Sequence, residues 1–482
     1  MGLLGLTATG ISSMIGASIY VVPFMIQRNV PGIGPYVLPA FLFAAVPAVF
    51  AGLAYVMLAS AMPRAGGSYV YASRAVSPYL GFVASFSQWF GLSIAIGVVS
   101  YVTIPFLRDM ATLLDLPAIA AMLDQGVARI SLALLILWAF VFINIKGVKL
   151  YERTVIPLMV MMFGLGAIVV VAGLNFDHVD FARALMAREG RVIAETHVDF
   201  NWTTFLGGAA LLFSSFIGFD SIAQAGGEAK DPSRLLPRAI GYAIVSVTVY
   251  YAVFAYALYH AVPWRFVAQE ALVKDVTAPG LLSYLLPAGW SALIILGAAI
   301  ALLDDLPSMI LSVSRLMFAW AEDGIFPARI AAIHPVHRTP LVAIVASGAM
   351  ASVGIVGSHF AGDFFLGIDI MVTSMLVNYL LMCVSVLLLP STNPALSEKI
   401  TVFRSRAIQR IISITGIGLL LGFLIIHISK DLSAPVKAWY FHSTLVWIMV
   451  MLVASVIFFY HWRALQKSGV DTAARFSTLP PE

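Results

Sequence analysis

Residues 10–23 read GISSMIGASIYVVP, and residues 213–232 read FSSFIGFDSIAQAGGEAKDP. Each lies in an apolar run long enough to cross a membrane as a helix. Each interrupts that run with glycine. The first has Gly10 and Gly16 around the Ser12–Ser13 pair, and the second has Gly218 and the Gly226–Gly227 pair. Glycine weakens a helix interior by about 1 kcal/mol relative to alanine. In either helix alone, close helix packing explains the glycines equally well. Interruptions at matching places in two halves of a chain point instead to a transporter with discontinuous helices and a site near the bilayer midplane. Asp220 beside Gly218 adds weight to that reading.

Composition sets the environment. The 482 residues are 61% hydrophobic and 11% charged, with mean hydropathy +0.95. A soluble domain carries roughly 25% charged residues, so these few charges cannot clothe a water-facing surface. A bilayer accepts helices or closed barrels. Barrel strands alternate polar and apolar residues, and these runs do not. The expected fold is an all-α polytopic membrane protein with about twelve spans near 3–28, 35–62, 79–107, 130–146, 154–174, 205–227, 237–260, 289–320, 340–357, 364–389, 410–428 and 440–462. The first run starts almost at Met1 and is too long for a signal-peptide core, so helix 1 is expected to serve as an uncleaved insertion signal.

The lone cysteine, Cys383, excludes an intrachain disulfide and a cysteine metal site. The nine histidines fall in loops or near helix ends, which argues against a haem-bearing redox subunit. A redox-driven proton-pump subunit would need several lysines and glutamates in mid-span, and these helices have almost none. The net charge of +4 is small for the length and reflects topology rather than nucleic-acid binding. Lysine and arginine favour alternate connections, among them Arg64, Arg74, Lys146, Lys149, Arg153, Arg404 and Arg406. The positive-inside rule then places both termini in the cytoplasm.

A broken helix frees backbone groups where bulk water is absent. N–H groups opening a half-helix attract an anion, and freed carbonyls attract an ammonium. Gly16, Ala17 and Ser18 supply the first set, and the carbonyls around Ser214 and Ile217 supply the second. Together they suit a zwitterion such as a free amino acid.

Four motifs in order carry a family resemblance: GISSMIGASIYVVP (10–23), PRAGGSYVYASRAVSP (63–78), GFDSIAQAGGEAKDPSRLLPRAI (218–240), and SRLMFAWAEDGIFP (314–327) with HRTPLVA (337–343). The chain resembles the amino acid–polyamine–organocation superfamily of permeases over about residues 2–390. The resemblance implies a leucine-transporter-like fold: a 5+5 inverted repeat, about 3–174 and 205–389, forming a core over 1–390. Residues 391–482 would add two further helices and a short tail. It places Gly16, Ala17 and Ser18 where the substrate carboxylate is held. Ser214 and Ile217 fall where carbonyls meet the amino group, and Phe216 and Phe219 fall in the region of aromatic gates. Ser18 departs from the usual Gly-x-Gly, either as a benign N-cap or as a changed carboxylate site. Helix 5, VIPLMVMMFGLGAIVVV (155–171), lacks the lysine that some proton-coupled relatives carry.

Residues 301–315, ALLDDLPSMILSVSR, place Asp304, Asp305 and Pro307 in another apolar run. An acid at mid-bilayer costs roughly 2.5–3.5 kcal/mol on insertion scales. Successive residues are about 100° apart around a helix, so the two acids cannot face one point. By the resemblance, Asp305 falls near a helix 8 cation ligand of sodium-coupled relatives. It is the first candidate for a proton or cation coupling site, with Asp304 beside it. The alternative is that helix 8 starts later and leaves the pair in an outer vestibule. Asp220 competes for the coupling role, or caps the inner half-helix starting at Ser221. Glu228 is expected to be structural.

The expected function is secondary active transport of amino acids across the plasma membrane, the bacterial inner membrane in particular, by proton-coupled symport and alternating access. No GxxxxGK[ST] motif for ATP is present, so energy would come from gradients. No enzymatic role, cofactor, resident metal or nucleic-acid partner is expected. The partners are an amino acid or organocation substrate, a coupling proton or sodium, and the lipid bilayer, with homo-oligomer formation left open. An exchanger of amino acid for amine, and a non-transporting nutrient sensor, are the alternatives.

Overall fold

The computed structural model describes residues 1–16, 18–361 and 364–480. Among these it is all-helical, with twelve helical spans long and apolar enough to cross a membrane. The first is in two pieces, α1a (Leu3–Ile15) and α1b (Ser18–Asn29). Then come α2 (Val37–Ala61), α3 (Pro78–Leu113), α4 (Gly126–Ile145) and α5 (Val148–Asn175). The sixth starts as α6a (Trp202–Leu212), tightens into the 3-10 turn Phe213–Phe216, and resumes as α6b (Ser221–Gln224). The remainder are α7 (Pro232–Ala261), α8 (Ala288–Glu322), α9 (Leu341–Ala361), α10 (Phe364–Thr392), α11 (Arg406–Ser433) and α12 (Ser443–Lys467). All twelve overlap the spans read from the sequence. The third is longer than expected at both ends: it continues to Leu113, and Ser77 caps its start by accepting from Leu80 N.

Packing follows a repeat of five. α3 lies along α10 as α8 lies along α5, and α7 lies along α5 as α2 lies along α10. α9 meets α3 as α4 meets α8, and α1a meets α7 as α6a meets α2. Exchanging helix n with helix n+5 maps each pair onto its partner. Five crossings leave the chain on the side opposite its start, so the second set of five begins inverted relative to the first. α11 and α12 stand outside this exchange, against α10 with α2 and α3 respectively.

Burial separates the centre from the lipid-facing rim. The central windows of the first and sixth spans are 94% buried, whereas that of α4 is 22% buried. The broken helices are therefore enclosed by the others. α4 and α12 turn Leu135, Phe142, Val453 and Val456 outward, where hydrocarbon replaces water. Two buried arginines are paired with acids, Arg74 with Asp323 and Arg315 with Glu228. Arg315 of α8 bonds Glu228 at 2.5 Å and 3.1 Å, so Glu228 ties the segment after α6b to α8. Among the described residues there is no β-strand, only an isolated bridge between Ala65 and Ala225 that joins the loop after α2 to the end of α6b.

Candidate functional site

The two breaks meet face to face. Gly16 ends α1a with φ 38 and ψ −156, a conformation that a side chain resists. Gly218 has φ 135, and a Cβ there would sit 2.2 Å from Ser13 O. Glycine is required for the α6 break to press against the end of α1a. The hydroxyls of Ser13 and Ser221 join the same two segments at 2.9 Å. Tyr251 of α7 meets the carbonyl end of α1a, with its hydroxyl 2.7 Å from Met14 O and 2.9 Å from Ile15 O.

A cavity of about 70 Å³ opens beside this junction. α1 contributes Ser13 through Gly16 and Val22, and the α6 break contributes Ser214 and Ile217. α8 contributes Leu302, Asp305 and Met309, and α3 and α10 complete the wall with Val98, Val99, Ile368 and Met371. Of the candidates read from the sequence, Gly16, Ser214, Ile217 and Asp305 converge here. The Ser214 hydroxyl is turned back to Leu211 O at 2.9 Å. Ala17 lies outside the described residues, and Ser18 enters as the first residue of α1b.

Phe216 and Phe219 do not line the cavity. Phe216 packs edge-on against Tyr251 and tilted against Phe41, and Phe219 stacks on Tyr379 with ring centres 4.9 Å apart. Both are buried, each in contact with other aromatic rings.

α8 begins at Ala288, well before the acid pair, and Pro307 sits inside it without ending it. Asp304 and Asp305 are thus interior residues, 0% and 7% exposed, and do not belong to an outer vestibule. Asp305 is the one charged residue lining the cavity among the described residues. Its Oδ2 lies so close to Gly16 that an added methyl group there would be 2.7 Å away. Its Oδ1 is buried with no hydrogen-bond partner among the described residues, as are both oxygens of Asp304. Near Asp304, the Tyr151 hydroxyl links Thr9 of α1a at 2.9 Å and Ser308 of α8 at 3.0 Å.

Asp220 sits elsewhere, and its carboxylate does not cap α6b. The Tyr379 hydroxyl donates to its Oδ1 at 2.5 Å, and Gln88 Nε2 donates to its Oδ2. Gln88 Oε1 accepts from Gln224 and Asn378, and Asn378 also donates to Tyr55, which bonds Ser68. Sequence reasoning missed Gln88, Tyr379, Asn378 and Tyr251. Gln88 and Asn378 were visible as lone amides within apolar runs, an expensive placement unless satisfied. The tyrosines carry no such signal.

A sequence profile described as amino acid permease matches residues 1–454. The chain belongs to the amino acid permease family. Similar proteins include the branched-chain amino acid permease BcaP of Bacillus subtilis, 27% identical with 73% of each chain covered. The cationic amino acid transporter 4 of Mus musculus is 26% identical over 72% of this permease and 53% of its own length. The low-affinity putrescine importer PlaP of Escherichia coli K12 is 25% identical over 66% of each chain.

Proposed function

We propose that this permease is a secondary active transporter of an amino acid or a related amine, working at the plasma membrane by alternating access, with the proton as coupling ion and Asp305 as its carrier. The observation that carries the proposal is Asp305 itself, a buried and half-unpartnered carboxylate in the cavity where the α1 and α6 breaks meet. Such a group can bind a proton on one side and release it on the other as the cavity changes access. Both oxygens of Asp220 are engaged by Tyr379 and Gln88, which suits a positioning role better. The α1a carbonyls that face a bound cation in a sodium-driven scheme already accept from Tyr251, which favours the proton over sodium.

The direction of coupling follows from substrate charge. A zwitterion brings its own carboxylate toward α1b and needs Asp305 neutral, so proton and substrate travel together. An amine needs Asp305 ionised, so the proton leaves as the amine binds and the two are exchanged. The test uses purified protein in sealed vesicles with a pH gradient. Accumulation of a labelled amino acid or amine above equilibrium, abolished by a protonophore while counterflow persists, is expected. Binding without accumulation under either gradient polarity would identify a sensor and overturn the proposal.

A further inference from the structure

Asp305 occupies a particular place in the cavity, and that place bears on what can share it. The N–H groups that open α1b form an electropositive end suited to an anion. A free amino acid would bring its carboxylate there. Here Asp305 Oδ2 already lies against Gly16, the residue at the break. While Asp305 is ionised, a second carboxylate in the same space would meet a like charge in a low-dielectric wall, which is strongly unfavourable.

No compensating cation is present, because Asp305 is the only charged lining residue among those described. Its Oδ1 has no partner and remains to be met. Ser13 and Ser214 supply the other polar side chains of the wall, and the rest is Met, Ile, Val, Leu, Ala and Gly. A second ammonium group would find no second carboxylate in this wall. The cavity of about 70 Å³ is small, several times the roughly 10–15 Å³ that a single water needs by the same measure.

We infer that the substrate is a small primary monoamine with an apolar body and no carboxylate, its ammonium paired with Asp305, which supplies the anion that an amino acid would otherwise bring to the α1 break. The inference rests on the proposed function of this cavity. Because one carboxylate holds either the proton or the ammonium, amine and proton compete and are exchanged across the membrane. Asp304, its neighbour on α8, is a second carboxylate acting on Asp305. The walls from α1, α3, α6 and α10 bring no titratable side chain to the cavity among the described residues.

The experiment compares a matched pair on the full-length purified protein: 3-methylbutylamine and leucine, which differ by the carboxylate. Binding is measured by titration calorimetry from about pH 8 down to about pH 6, and vesicle uptake of both is measured in parallel. The amine is expected to bind and leucine to compete poorly. Amine affinity should fall on acidification, approaching about tenfold per pH unit once Asp305 is mostly protonated. Asp305→Asn should weaken the amine roughly 30-fold or more. Should that variant misfold, the wild-type pH trend decides alone. Leucine uptake without amine uptake, or leucine binding that tightens on acidification, would overturn the monoamine assignment and leave the proposed transport function standing. Amine affinity independent of pH would overturn the pairing with Asp305. If the wild type accumulates no amino acid or amine of any kind, the transport function itself fails.

Discussion

The Tyr379 hydroxyl donates to Asp220 Oδ1 at 2.5 Å and accepts from Gly218 N at 3.4 Å, so a single side chain of α10 holds both the acid and the backbone of the α6 break. The contact joins residues 159 positions apart. Removing one partner of a buried, charge-assisted hydrogen bond costs about 1.5–3 kcal/mol. Tyr379→Phe is therefore expected to lower the thermal midpoint measurably. Asp220→Asn combined with it should cost less than the sum of the two single changes, since both remove the same interaction. Strictly additive midpoints would show that the contact is not energetically shared.

A second prediction concerns the far end of α8. Arg74 and Asp323 form a bidentate pair whose side chains are 0% and 3% exposed. The Arg74 guanidinium also donates to Thr478 O at 3.0 Å and lies 4.9 Å from the centre of the Phe476 ring. Asp323→Ala leaves a buried cation without its counter-ion, at a cost of about 3–5 kcal/mol. A large loss of folded protein in detergent is the expected result, with faster proteolysis of the 472–480 segment. Native stability in that variant would mean that solvent or lipid replaces the carboxylate freely.

Much of this arrangement was legible in the sequence, and the reason is physical. Hydropathy over some 20 residues reports burial in hydrocarbon, so the twelve spans were readable. Gly16 and Gly218 were readable as breaks because glycine is the residue that tolerates their backbone angles. The face of Asp305 was not readable from helix geometry, and only the resemblance ranked it ahead of Asp304. Two adjacent acids on one helix differ by about 100°, and only the neighbouring α1 break selects which one meets the cavity. The environment of Asp220 was equally hidden, since Gln88 and Tyr379 reach it across 132 and 159 positions. The packing of Phe216 and Phe219 among other rings depends likewise on tertiary partners, which local sequence does not encode.

The third prediction is a pH dependence in the connection between α7 and α8. Burial alone would raise the pKa of Glu270, but hydrogen bonds from Lys274 and Arg191 hold it below the usual glutamate value of 4.5. Both ion pairs measure 2.7 Å. The folded pKa is lower than the unfolded one, so the stabilisation is fully present above the unfolded value. It is lost as pH falls through the folded value. The opening equilibrium of Trp264–Val273, read from amide exchange corrected for its intrinsic pH dependence, should be flat at neutral pH and rise below about pH 4.5. Glu270→Gln should remove that rise.

The fourth prediction concerns sidedness and follows from the lysine and arginine distribution. Ala187 and Ser405 are both exposed, and Cys383 is buried. A cysteine at Ala187 should react with an impermeant thiol reagent on intact cells. A cysteine at Ser405 should react only after the cells are opened. The reverse pattern would invert the orientation of every helix.

The most direct test of the account is transport by Asp305→Asn in sealed vesicles. The substitution keeps size and polarity but removes the ability to ionise, and the fold is checked by the thermal midpoint. For whichever substrate the wild type accumulates, the variant is expected to lose accumulation driven by a pH gradient. Asp304→Asn, outside the cavity wall, should retain most of it. If Asp305→Asn still concentrates substrate against its gradient at the wild-type rate, Asp305 does not couple the proton to transport, and the central claim is contradicted.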